Sequence, residues 1–107
     1  MLVKDVTVVF IYLSQDVKLV EVLNHLKNFV TNRTIILGDV NFYPDSSNLL
    51  TRQLKLWKFS QLVEEPTHDK GNIIDHVYVS EDLLHRATCD LHYVYYSDHQ
   101  VVCVNIL

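Results

Sequence analysis

Acidic and amide side chains stand at three places where β-type runs end or begin: Gly38-Asp39-Val40-Asn41, Ile74-Asp75-His76 and Ser97-Asp98-His99. Carboxylate oxygens are hard ligands of the kind that hold Mg²⁺ or Mn²⁺. A histidine beside one carboxylate can work on a water while a second carboxylate fixes its tautomer. An amide can donate to an anionic oxygen. Metal-assisted hydrolysis of a phosphate ester needs these functions together: charge neutralisation, a placed water and a stabilised leaving oxygen. Taken singly, each stretch has a plain structural explanation as a turn, a cap or a solvated corner. Taken together, Asp39, Asn41, Asp75, Asp98 and His99 have the chemical types for such a reaction.

Three other chemistries fit less well. Ser97, Asp98 and His99 are sequence neighbours, and neighbours on an extended chain point to opposite sides, so they cannot form a serine triad. Asp39-x-Asn41-x-Tyr43-Pro44 begins like a calcium loop, but Pro44 replaces the required glycine and Leu50 the required glutamate. His68, His76, His92 and His99 match no zinc spacing and read as scattered exposed histidines. Tyr95 and Tyr96, beside Asp98-His99, are placed to line a groove, with Tyr93 near them. Trp57, at helical spacing, reads as core.

The elements that position these groups follow from periodicity. Val3 to Leu13 reads as a strand with Val6, Val8, Phe10 and Tyr12 on one face and Val9, Ile11 and Leu13 on the other. Both faces are apolar, which predicts an interior strand covered on two sides. Ser14 or Asp16 is the expected cap of a helix whose stripe is Leu19, Leu23, Leu26 and Val30, widened by Val20, Val22 and Phe29. Ile35-Ile36-Leu37 predicts a strand buried on both faces, parallel to the first. A loop over Tyr43-Pro44-Asp45-Ser46-Ser47 supplies caps for a second helix from Ser47 to Trp57, with Leu50, Leu54 and Trp57 on one face. Further strands are expected at 61–64, 75–80, 87–95 and 100–107, with a helical turn at 81–84. The pattern predicts an α/β fold: a mixed sheet of about five or six strands with two main helices.

A chain of 107 residues is one domain by length. Its 49% hydrophobic and 21% charged content is ordinary for a globular protein. A net charge of −4 excludes binding nucleic acid by bulk charge alone, though a bound cation would offset carboxylates locally. Cys89 and Cys103 make no disulfide framework and read as reduced, buried and inert. The short apolar run after Lys4 and Asp5 is neither a signal peptide nor a membrane span, so an intracellular location, nuclear or cytoplasmic, is expected.

The order Gly38-Asp39-Val40-Asn41, Ile74-Asp75-His76-Val77, Ser97-Asp98-His99 resembles the second half of the endonuclease/exonuclease/phosphatase superfamily. Glu65-Pro66-Thr67 before Ile-Asp-His, and Tyr95-Tyr96 before Ser-Asp-His, most resemble its non-LTR retroelement branch. The resemblance implies half of a two-sheet α/β sandwich, with residues 1–107 forming the C-terminal portion of such a domain. It implies a divalent-metal-dependent endonuclease, with Mg²⁺ or Mn²⁺ as cofactor and DNA as substrate. Asp39 would orient the attacking water or protonate the leaving group and stand near the metal. Asn41 would bond the phosphate or nucleophile. Asp98 would help bind the metal, His99 would contact the scissile phosphate or act as base, and Asp75 would hold His99.

The family's first half, with an asparagine and the glutamate that is its chief metal ligand, has no counterpart in the chain. Leu13-Ser14 replaces an arginine after the tyrosine, and Asn72-Ile73 replaces a Ser-Arg pair, so two phosphate contacts are weakened. Half a sandwich exposes an apolar sheet face, which predicts self-association or a partner that covers it. Two alternatives stay open. One is a non-catalytic remnant acting as a binding or oligomerisation module. The other is a lipid or inositol phosphate phosphoesterase of the same superfamily.

Overall fold

The computed structural model describes residues 6–14, 16–42, 47–63, 75–92 and 101–106, with backbone alone at 90–92 and 101–103. Six strands are described: β1 (Thr7–Tyr12), β2 (Thr34–Asp39), β3 (Ser60–Gln61), β4 (Asp75–Val79), β5 (Ala87–His92) and β6 (Val101–Ile106). Two α-helices, α1 (Leu19–Leu26) and α2 (Leu49–Leu56), and a 3₁₀ helix (Glu81–Arg86) join them. The strands divide into two sheets, one of order β1-β2-β4-β3 and one made of β5 and β6. β1 runs parallel to β2, and β4 is antiparallel to both β2 and β3, so the larger sheet is mixed. The fold is therefore α/β with a mixed sheet and flanking helices, and the strands expected in one sheet form two.

Alternation of side chains sorts the core into two clusters. On one side of the larger sheet, Ile36 and Tyr78 pack with Leu26 of α1 and with Leu50 and Leu54 of α2, joined by Val9, Ile11 and Trp57. On the other, Ile35, Val77 and Val79 pack with Leu83 and, from the smaller sheet, Cys89, Val104 and Ile106. The layers are thus helices, four strands and two strands, the last two making a small sandwich.

Several local expectations need correction. α1 begins after Lys18, which takes the cap position in place of Ser14 or Asp16 and makes no side-chain cap bond. Val20 and Phe29 lie outside its buried stripe and are exposed: Val20 sits off the face that meets the sheet, and Phe29 lies beyond the end of α1 at Leu26. The cap of α2 is Asn48: its Oδ1 accepts from Thr51 N–H, and Thr51 Oγ1 accepts from Asn48 N–H, both at 2.9 Å. This reciprocal pair replaces the caps expected from 43–47, of which 43–46 lie outside the described residues. The third strand is Ser60–Gln61 rather than 61–64. Among the described residues β1 is an edge strand rather than an interior one, with Val8, Phe10 and Tyr12 exposed. Cys89 is half-buried and packs against the second cluster, and the side chain of Cys103 lies outside the described residues.

Candidate functional site

Asp39 is the last residue of β2 and Asp75 the first of β4, and the antiparallel register sets them directly opposite one another. Opposed residues of such a pair share a face, with Cα atoms about 4.5–5.5 Å apart. Tyr12, the last residue of β1, is in register with Asp39 on its other side. Tyr12, Asp39 and Asp75 therefore form a row across the carboxyl end of the parallel pair, the end where open α/β sheets place ligands. Tyr12 was not among the residues singled out from sequence. Its signal was there: it ends β1 just as Asp39 ends β2.

The backbone before Asp39 must be glycine. Gly38 has φ of +147°, and a Cβ there would lie 1.8 Å from the carbonyl oxygen of Ile11. Only a residue without a side chain lets β1 approach β2 that closely at this point. Leu13 N–H then donates to the Asp39 carbonyl at 2.8 Å, carrying the pairing one step past the strands.

Asn41 sits in the left-handed region, at φ 56°, a conformation asparagine tolerates well. Its N–H donates to Asp39 Oδ1 at 3.1 Å, and its Nδ2 donates to the Leu13 carbonyl at 2.6 Å. Asn41 thus ties the turn after β2 to the segment after β1 and orients the Asp39 carboxylate. Phe42 meets the His76 ring edge-on, with centroids 5.3 Å apart. His76 is buried, and its Nδ1 lies 2.7 Å from Tyr78 Oη. His76 is therefore not one of a set of exposed histidines: β4 turns it toward the helix layer, where it anchors the site turn. Burial pushes the Tyr78 phenol well above its ordinary range.

The structure thus brings Asp39, Asn41 and Asp75 to one end of the sheet. Asp98 and His99 lie outside the described residues, as do His68, Tyr93, Tyr95 and Tyr96, and so does the side chain of His92. Among the described residues, no three His, Cys, Asp or Glu side chains gather as a metal site, and no helix is long and apolar enough to cross a membrane.

No protein-family model and no curated protein matches the chain. Among solved structures it is similar to the endonuclease domain of TRAS1, a telomere-specific non-LTR retrotransposon, at a TM-score of 0.74 and 22% identity. The likeness covers 89% of this chain and 52% of that one, so the chain spans about half the neighbour's length. The chain has the fold of that part of a non-LTR retrotransposon endonuclease domain.

Proposed function

We propose that the chain is a portion of a divalent-metal-dependent endonuclease that hydrolyses DNA phosphodiester bonds. The observation that carries this reading is the Asp39–Asp75 pair at the end of the sheet, with Asn41 bonded to Asp39, on a fold shared with a retrotransposon endonuclease domain. A carboxylate such as Asp39 offers hard oxygen donors that suit Mg²⁺ or Mn²⁺ and not a soft metal. Asp39, and Asp98 from the Ser97-Asp98-His99 stretch, would hold that ion, which when bound supplies charge neutralisation at the phosphate. Asp39 orients the attacking water or returns a proton to the leaving oxygen. Asn41 fixes the Asp39 carboxylate and would bond the phosphate or the nucleophile. His99 acts as base or phosphate contact, and Asp75 holds its imidazole.

Purified protein, supercoiled plasmid and Mg²⁺ or Mn²⁺ test the proposal. Weak nicking is expected from the chain alone, because the superfamily's chief glutamate ligand has no counterpart in it. Asp39→Asn, Asp75→Asn and His99→Ala should each abolish nicking while circular dichroism stays unchanged. Nicking that survives all three substitutions overturns the assignment.

A second reading, a non-catalytic binding or oligomerisation module, is favoured by the exposure of Phe10 and Tyr12 on the sheet. It predicts DNA or protein binding with no nicking, even when the remainder of an endonuclease-type domain is supplied.

A further inference from the structure

A cavity of about 240 Å³ opens beside the carboxylate row. Leu13, Ser14 and Val17 line it from the segment that follows β1, and Val40, Asn41 and Phe42 from the turn that follows β2. Both segments leave the carboxyl ends of the two parallel strands, so the cavity lies at the same end of the sheet as Asp39. Asn41 belongs to both places. Its N–H donates to Asp39 Oδ1 at 3.1 Å, and its side chain reaches across to the Leu13 carbonyl. The Ser14 carbonyl accepts from Val17 N–H at 3.2 Å, a turn that brings both residues to the cavity.

The lining decides what chemistry fits. None of the lining residues is charged, so a phosphate entering here would lose its hydration and gain no ion pair. Leu13 and Val40 are buried, and Val17 and Phe42 half-buried, which makes the walls apolar. Ser14 is exposed, and its hydroxyl has no hydrogen-bond partner among the described residues. Apolar walls with one free hydroxyl suit a small neutral group that carries a polar edge. The space is too narrow for a helix, which is about 10–12 Å across with its side chains, and ample for one heterocycle. A nucleic-acid strand is a run of anions, each carrying such a group. With a phosphate at the carboxylate row, the flat neutral group within reach of Asn41 is the base of the same nucleotide or of the next.

We propose that this cavity receives one nucleobase adjoining the scissile phosphate, turned out of its stack. Leu13, Val17, Val40 and Phe42 take the apolar face of the base, and the Ser14 hydroxyl bonds its polar edge. Unstacking costs least at a mismatch or in single-stranded DNA, so such DNA is the preferred substrate. The proposal deepens the nuclease reading and rests on it for the class of ligand.

A first test needs no phosphate chemistry. Deoxyadenosine, deoxycytidine and thymidine are titrated at millimolar concentration into the isotope-labelled chain and followed by amide chemical shifts. Saturable shifts at Ser14, Val17, Asn41 and Phe42 are expected from the nucleosides, and none from deoxyribose or inorganic phosphate. Val17→Phe, which fills the cavity, should abolish them. Ser14→Ala should weaken binding about two- to tenfold, the worth of one hydrogen bond, and Ser14→Thr should restore it. Should Val17→Phe fail to fold, the two Ser14 variants, at an exposed position, still decide. Absent shifts, shifts confined to other residues, equal shifts from deoxyribose, or binding indifferent to Ser14→Ala overturn the proposal. On DNA, a mismatched duplex should be nicked faster than a matched one, and Ser14→Ala should narrow that ratio; equal rates also overturn it. Nucleosides that bind here while DNA stays intact leave the base site standing and sink the nuclease reading, and nicking without nucleoside binding does the reverse.

Discussion

Replacing Gly38 with alanine should unfold the site end of the sheet without touching the Asp39 or Asp75 carboxylate. The added Cβ would sit 1.8 Å from the Ile11 carbonyl oxygen. That oxygen belongs to the backbone of the paired strand, so no side chain can swing away to relieve the contact. β1 must retreat by more than about 1 Å, on top of roughly 1–3 kcal/mol for holding alanine at so positive a φ. The retreat weakens the Leu13–Asp39 backbone bond and the Asn41 Nδ2–Leu13 bond, each with a net value of about 0.5–1.5 kcal/mol. The sum is roughly 2–6 kcal/mol, a large part of the stability of a small domain, and a fall of roughly 10–25 °C in Tm. Urea unfolding followed by far-ultraviolet circular dichroism measures it, and amide exchange at Leu13 and Asn41 should accelerate more than at Val77. A loss below about 0.5 kcal/mol, the scale of an innocuous surface change, would mean that β1 and β2 are not as close as described and that Asp39 is not held by this approach.

Other consequences are independent of that contact. On α2, Leu50 is fully buried and Leu56 exposed; Leu50→Ala should cost about 2–5 kcal/mol in urea unfolding, and Leu56→Ala within about 0.5 kcal/mol. Asn48→Ala removes the Oδ1 arm of the α2 cap and leaves the backbone arm, Asn48 N–H to Thr51 Oγ1; it should cost about 1 kcal/mol, with Asn48→Asp recovering most of it. Tyr78→Phe takes away the hydroxyl beside His76 Nδ1 and should cost about 1–3 kcal/mol at neutral pH. Because burial raises the Tyr78 pKa in the folded state, the folded chain keeps this proton where the unfolded chain sheds it. Stability from Tyr78 is then complete below pH about 10 and declines as pH rises above it. The urea midpoint of the wild type should approach that of Tyr78→Phe in that alkaline range, and a gap that stays constant there would contradict the burial argument.

Periodicity alone was enough for the pieces. Ile35 and Ile36 are buried on opposite faces of β2, Leu50, Leu54 and Trp57 pack from one helix, and Val77 and Val79 oppose Tyr78, all as their spacing implied. Side-chain alternation is a local property, so it can be read without knowing the partners. The order Asp39, Asn41, Asp75 also placed three polar groups at strand ends, and strand ends of one sheet fall together. What local pattern does not carry is register and neighbourhood. The pairing of Asp39 with Asp75 on one flank and Tyr12 on the other is a relation between three distant segments. So is the closeness of Ile11 that makes Gly38 obligatory, and so is the burial of His76 under Phe42. An apolar strand with two good faces looks the same in sequence whether it lies inside a sheet or at its rim. Only the assembled fold shows that, among the described residues, β1 lies at the rim, because strand order is a relation between distant segments and not a property of the strand's own composition.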